Sequence, residues 1–261
     1  MRPEAALSSE AKVLLITGGG SGIGAETARR AAARGYRIAV NYRSREAEAK
    51  AVVAEIVGKG GQAVALPGDM AREADIVRLF DETERTLGPV THLLNSAGIN
   101  GRRGRVEDYD AANLVHVLTV NVVGLMLCCR EAVRRMSTRH GGKGGAIVNV
   151  SSMAGTLGGR PGSSAYAASK GAVDAFTKGF AREVAAEGIR VNGLRPGMVL
   201  TEMTEGRLND AAFRESIEAS IPMGRIGQSG EIADAALWLL SDEASFITGA
   251  MVDASGGGYR I

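Results

Sequence analysis

Val13-Leu14-Leu15-Ile16-Thr17-Gly18-Gly19-Gly20-Ser21-Gly22-Ile23-Gly24 is the stretch from which the fold can be read. Val13–Thr17 is a short aliphatic run, as expected of a strand buried on both faces. A glycine-rich string follows, and then a segment with helical spacing, Ile23–Arg34. Glycine is needed where backbone turns sharply and comes close to a phosphate. The free N–H groups and positive dipole end of the next helix suit the same anion. Strand before and helix after separate a phosphate cradle from an ordinary glycine-rich turn.

The same rhythm continues along the chain. Further buried strands are expected at Arg37–Tyr42, Ala63–Leu66, Val90–Asn95, Ala146–Ser151, Arg190–Leu194 and Ala250–Asp253. Segments rich in Ala, Glu, Arg and Leu lie between them: Arg45–Gly58, Arg72–Leu87, Ala111–Arg135, Ala165–Ala186 and Glu231–Ser241. Gly35, Gly60, Gly88 and Gly188 stand where helices should end. Alternation of this kind predicts an α/β fold: a single-domain, doubly wound parallel sheet of about seven strands with helices on both faces. Ligands should then sit beyond the carboxyl ends of the strands, at the switch point.

Composition bounds the function. The chain has 261 residues, 45% hydrophobic and 23% charged, which suits one globular domain with a sizeable core. A net charge of +2 gives no reason to expect nucleic acid or a membrane surface as partner. The longest apolar stretch, near Val122–Cys129, is well short of the ~18 residues that span a bilayer. Cys128 and Cys129 are adjacent and read as small buried hydrophobes, as in a reducing cytoplasm. Residues 1–11 read as a loose tail and 12–261 as the working domain. His92, His116 and His140 lack metal-ligand spacing, so no metal is expected.

The spacing Thr17-Gly18-x-x-x-Gly22-x-Gly24 resembles that of the short-chain dehydrogenase/reductase family. This implies a dinucleotide held by Gly18, Ser21, Gly22, Ile23 and Gly24. The second strand ends Asn41-Tyr42-Arg43-Ser44. An acidic residue here would repel a ribose 2′-phosphate, whereas a guanidinium forks onto phosphate oxygens. Tyr42 stands where NAD-preferring relatives carry Asp, and Arg43 and Ser44 follow, so NADP(H) is expected over NAD(H). The resemblance places Asp69 and Met70 at the adenine; for Asp69 a turn or helix-start role stays open. Asn95-Ser96-Ala97-Gly98 matches the family's Asn-Asn-Ala-Gly except at Ser96, and implies cofactor contacts from Asn95, Ala97 and Gly98. After the sixth strand, Pro196, Gly197 and Val199 would lie along the nicotinamide, and Thr201 would bond its carboxamide or the phosphates.

The reacting centre is expected at Tyr166-Ala167-Ala168-Ser169-Lys170. Tyr166 and Lys170 are four apart and share a helix face. A phenol titrates near pH ~10, and a neighbouring ammonium lowers that value. Such a tyrosine can give a proton to a carbonyl oxygen or take one from an alcohol. The family places its substrate-orienting serine at Ser152, with Ser151 as the rival. Asn121 lies inside the predicted long helix, where asparagine is a mediocre fit. In the family it holds a water beside the lysine; a bond to a backbone carbonyl is the structural alternative.

The implied activity is hydride transfer between NADP(H) and a small carbonyl or alcohol substrate, in the manner of the 3-oxoacyl-carrier-protein reductase and glucose dehydrogenase group. A non-catalytic NADP(H) sensor is the rival, and it need not keep Ser152, Tyr166, Lys170 and Asn121. Arg102, Arg103 and Arg105 crowd a loop near the expected site mouth, as an anion receiver or a solvated run. Residues 203–221 are expected to cover the substrate as an amphipathic helix. Relatives commonly form homotetramers, and the strip Leu118, Val122, Leu125, Cys129 would serve such an interface or the core.

Overall fold

The computed structural model describes residues 12–258. The tail expected at residues 1–11 lies outside the described residues. Nine strands are present among the described residues: β1 Val13–Thr17, β2 Arg37–Tyr42, β3 Ala63–Pro67, β4 His92–Asn95, β5 Gly145–Val150, β6 Ile189–Pro196, β7 Val199–Leu200, β8 Gly227–Gln228 and β9 Met251–Ala254. Seven form one sheet in the order β3-β2-β1-β4-β5-β6-β9. All its pairings are parallel. β7 and β8 make a separate two-stranded ribbon. The chain winds outward from β1 to β3, then returns to place β4 on the other side of β1. The switch point therefore falls between the carboxyl ends of β1 and β4.

Alternation along each strand sends side chains to opposite faces. Val13, Leu15, Leu93 and Ile147 join one core; Leu14, Ile16, Leu94 and Val148 join the other. Helices α1 Gly22–Ala33 and α2 Glu46–Gly58 cover the second core, and α3 Glu73–Leu87 covers the first. α3 buries Ile76, Leu79, Phe80, Thr83 and Leu87, the i, i+3, i+4 stripe of an amphipathic helix.

Residues 111–136 are helical throughout but not uniformly so. α4 Ala111–Leu118 and α5 Leu125–Met136 are joined by a π-helical segment, Thr119–Gly124. By length and apolarity this run could cross a membrane. In the fold, Cys128, Cys129 and Ala132 pack it into the sheet core. The strip expected to be either interface or core divides: Leu125 and Cys129 are buried, while Leu118 is 44% exposed beside Val115 and Val123.

α6 Ala154–Leu157 is a single turn, and α7 Ser164–Val184 is the longest α-helix described. The cover is not one helix. It forms α8 Glu202–Leu208 and α9 Ala211–Ser220, because Asp210 accepts from the N–H groups of Ala212 and Phe213 and starts a new helix. Leu208, Ile217, Ile221 and Ile226 give the cover a small core of its own. α10 Ser229–Leu240 closes the second face of the sheet.

Candidate active site

The glycine loop leaves β1 under tight restraint. Gly18 has φ +65°, and a Cβ there would lie 2.9 Å from the Cα of Ala97. A Cβ on Gly24 would lie 2.5 Å from the Gly18 carbonyl oxygen. Two side chains that sequence reasoning left out of the site hold this loop. Thr17 Oγ1 accepts from the N–H groups of Ser96 (3.1 Å) and Ala97 (3.2 Å), joining the ends of β1 and β4. Buried Asn41 accepts from the N–H of Gly18 (3.2 Å) and donates to the carbonyl of Gly68 (3.0 Å). Thr17 ends an otherwise apolar strand and Asn41 sits within another, and polar residues at buried strand positions were the available signal.

Ser21 stands at the N-cap of α1 and makes no capping bond with its side chain; the first turn holds no acidic residue. Among the described residues the helix start therefore has no side-chain cap from Ser21, a setting that suits an anion, although a Cβ on Gly22 would lie 3.4 Å from a Glu202 carboxylate oxygen. Beside it lies a cleft of about 180 Å³. Gly18, Ser21, Tyr42, Arg43, Ser44, Asp69, Met70, Ala97 and Gly98 line it, together with Asn41, Arg45, Ile99 and Val120. A second groove of about 710 Å³ opens on the other side of the loop and takes in Ser21, Gly22 and Thr201. Ile23 packs against the second core, and Val199 is buried in it. Gly197 sits close against Ser255, and the Pro196 carbonyl accepts from the Met153 N–H (3.0 Å).

Arg43 and Arg45 are exposed and have no ion-pair partner among the described residues. The adjacent Glu46 is occupied: hydrogen bonds from Lys50 and then Tyr42 hold its carboxyl below the usual range. Asp69 accepts from the Ala71 N–H (2.9 Å), the turn-forming role, while still lining the cleft. Asn95 turns the other way. Its amide donates to Asn149 Oδ1 (2.9 Å) and Asn149 donates to Thr177 Oγ1 (3.0 Å), a buried chain tying β4 and β5 to α7.

α7 carries Tyr166 and Lys170 on successive turns, and Lys170 Nζ lies 5.8 Å from the Tyr166 ring centroid. The lysine is buried and donates to the Val150 carbonyl (2.8 Å), at the carboxyl end of β5. Burial pulls its pKa down from 10.5 to about 8, against the opposing charge of Asp174, so it remains largely an ammonium at neutral pH. A Cβ on Gly98 would lie 3.4 Å from Asn121 Oδ1 and 3.5 Å from Lys170 Nζ. Lysine, asparagine and the β4 loop thus converge on one point.

Asn121 sits in the π-helical segment, a distortion that often marks functional positions. Its Oδ1 accepts from the Ile99 N–H (2.8 Å), and its amide donates to the Ile99 carbonyl (2.9 Å) and to Ser169 Oγ (3.0 Å). The side chain is therefore engaged with protein, which favours the backbone-bonding alternative for that amide. The two serines separate as well. Ser151 is buried and donates to the Lys170 carbonyl (3.1 Å). Ser152 is half-buried and, among the described residues, its hydroxyl only accepts, from the Ala154 N–H (3.1 Å), which leaves its proton uncommitted there.

A doubly wound sheet with a glycine cradle and a tyrosine-lysine helix defines a dinucleotide-dependent oxidoreductase. Residues 18–259 match the family model described as enoyl-(acyl carrier protein) reductase. The chain belongs to the short-chain dehydrogenase/reductase family and is an oxidoreductase. It is 46% identical to the uncharacterized oxidoreductase YgfF of Escherichia coli, over 94% of this chain and 99% of the relative. It is 40% identical to the human 3-oxoacyl-[acyl-carrier-protein] reductase, over 94% and 97%. Among solved structures, levodione reductase matches with a TM-score of 0.86 and 33% identity, over 94% and 96%. The family implies a nicotinamide cofactor, and the cradle and cleft fit one: close-packed glycines, a helix start that Ser21 does not cap, and two guanidinium groups that form no ion pair among the described residues.

Proposed function

We propose that this protein reduces a carbonyl group of a small molecule, or oxidises the matching alcohol, using NADP(H), with Tyr166 as the general acid and base. The observation that carries the reading is the buried ammonium of Lys170, 5.8 Å from the Tyr166 ring and fixed on the Val150 carbonyl. When bound, the cofactor supplies or accepts the hydride at the substrate carbon.

The protein's side chains handle the oxygen. Tyr166 gives it a proton in reduction and takes one in oxidation. Ser152 donates to the same oxygen and orients it. Lys170 stabilises charge on the phenol and offers its remaining donors to a ribose. Asn121 is a positioning residue in this scheme: it pins Ile99 and so sets Gly98 beside the lysine. The sequence placed it as the anchor of a water; its amide instead donates to the Ile99 carbonyl and to Ser169 Oγ.

Gly18, Ser21, Gly22, Ile23, Gly24 and Thr201 would hold the pyrophosphate, and Asp69, Met70, Ala97 and Gly98 the adenosine side. Pro196, Gly197 and Val199 would face the nicotinamide. Asn95 would support that wall from behind through Asn149. Arg43, with Arg45 beside it, favours NADP(H) over NAD(H), since a 2′-phosphate would meet two guanidinium groups that form no ion pair among the described residues. The complete set Asn121, Ser152, Tyr166 and Lys170 argues for an enzyme over a sensor.

The same reading takes the protein as a single soluble, cytoplasmic domain, residues 12–261, with its cover near 203–221. It also takes it as a homotetramer, supported by exposed Val115, Leu118 and Val123 and by fully exposed Phe246. A panel of a 3-oxoacyl thioester, a cyclic diketone and a sugar, each offered with NADPH, NADH and their oxidised forms, tests the activity. Substrate-dependent NADPH oxidation or NADP⁺ reduction is expected; none across the panel would overturn the reading.

A further inference from the structure

Two loops and helix α8 of the cover come together, and each brings an arginine. The loop after β4 is tied to the loop before α7: the Gly104 N–H donates to the Gly162 carbonyl (3.3 Å), and Arg103 Nη2 donates to the Pro161 carbonyl (2.9 Å). Arg103 is thereby fixed beside Arg160. From the cover, Phe213 of α9 presents its ring to both Arg160 and Arg207, whose guanidinium carbons lie 5.7 and 4.2 Å from the ring centroid. Gly98 and Tyr166, at the other ends of the two loops, belong to the reacting centre.

Among the described residues neither Arg103 nor Arg207 forms an ion pair, whereas nearby Arg105 pairs with Glu107 and Arg214 with Glu218. The neighbouring charges acting on Arg207 are those of Arg103 and Arg160, both positive; with partial burial as the larger cause, they hold its pKa below the usual value. Like charges gathered at one place repel one another, and a bound anion relieves that repulsion. Stacking on an aromatic face leaves the edge of a guanidinium, with its forked donors, open for carboxylate or phosphate.

We propose that Arg103, Arg160 and Arg207, organised around Phe213, receive an anionic group of the substrate, so that the preferred carbonyl compound carries a phosphate or carboxylate remote from its reacting carbon. This rests on the activity proposed above and narrows its substrate class. Of the arginines that crowd the 102–105 loop, only Arg103 takes part.

The test compares charged and neutral partners of one carbonyl compound. Keto acids of increasing chain length are assayed with NADPH against their methyl esters, and the phosphate monoester of a keto alcohol against the free alcohol. At one spacing the anion is expected to be favoured at least 10-fold in kcat/KM, with a KM that rises with ionic strength; which series wins identifies carboxylate or phosphate. The double variant Arg103→Gln/Arg207→Gln is expected to lose that preference while keeping its rate on the neutral partner. Phenyl phosphate titrated into the NADP⁺-saturated protein gives a readout free of turnover, with binding in the wild type and loss in the double variant. Equal rates for charged and neutral partners, without phenyl phosphate binding, would overturn the proposal. Binding that the variant abolishes, in a protein inactive on every carbonyl, would support the arginine site and overturn the activity.

Discussion

The glycine cradle and the tyrosine-lysine centre are built by different means. The glycine cradle works through backbone: Gly18 and Gly24 lie so close to Ala97 and to each other that a methyl group has no room, and Thr17 and Asn41 brace the turn from inside the core. The reacting side works through side chains whose hydrogen-bonding capacity is apportioned. Ser151, Asn121 and Asn149 are committed to protein partners, while among the described residues the Ser152 hydroxyl donates to none. Changes in the cradle should therefore disturb binding and folding together, and changes on the reacting side should remove rate while leaving the fold intact.

The sharpest contrast lies within one pair. Ser152→Ala is expected to lower kcat by about 10²–10³, the usual effect of losing one donor to a developing oxyanion, with an unchanged melting temperature. Ser151→Ala should do the reverse, costing about 1 kcal/mol of stability by freeing the Lys170 carbonyl and sparing most of the rate. Steady-state kinetics beside thermal melts separate them; equal effects would remove the distinction.

On the cradle side, Gly24→Ala forces its methyl into the Gly18 carbonyl. It is expected to destabilise the fold by about 1–3 kcal/mol and to weaken NADPH binding with it. Calorimetry that finds normal binding in a destabilised protein would break the link between cradle and fold. Arg43→Ala and Arg45→Ala should each raise the KM for NADPH by roughly 10-fold, about 1.4 kcal/mol, with little effect on NADH. An equal change for both cofactors would contradict the 2′-phosphate contact.

A smaller effect follows from the buried lysine. Its folded pKa, about 8, lies below the unfolded value of 10.5, so between these pH values the folded state binds fewer protons. The cost of burying the charge is fully present below pH 8 and is relieved as pH rises toward 10.5. The stability of the cofactor-free protein relative to Lys170→Met should therefore rise across that window, as denaturant midpoints would show; a flat difference would contradict it.

Much of this was legible in the chain. Short apolar runs such as Val13–Thr17, alternating with segments of helical spacing, read as buried strands, so the parallel sheet followed from them, and glycines at 18, 22 and 24 marked the tight turn after β1. Less legible were features set by residues far apart in sequence. The π-helical turn around Asn121 accompanies bonds to Ile99 and Ser169, which periodicity does not reveal. Asp210 divides the cover into two helices because its side chain finds N–H groups to cap, a competition that an apolar stripe conceals. Arg103, Arg160 and Arg207 meet only when two loops and α8 are folded together.

The account stands or falls on the phenol of Tyr166. Turnover and NADPH affinity measured side by side in Tyr166→Phe test it most directly. The account predicts a loss of turnover of about 10²–10⁴ with the dissociation constant essentially unchanged. A variant that still turns over at a wild-type rate would contradict it.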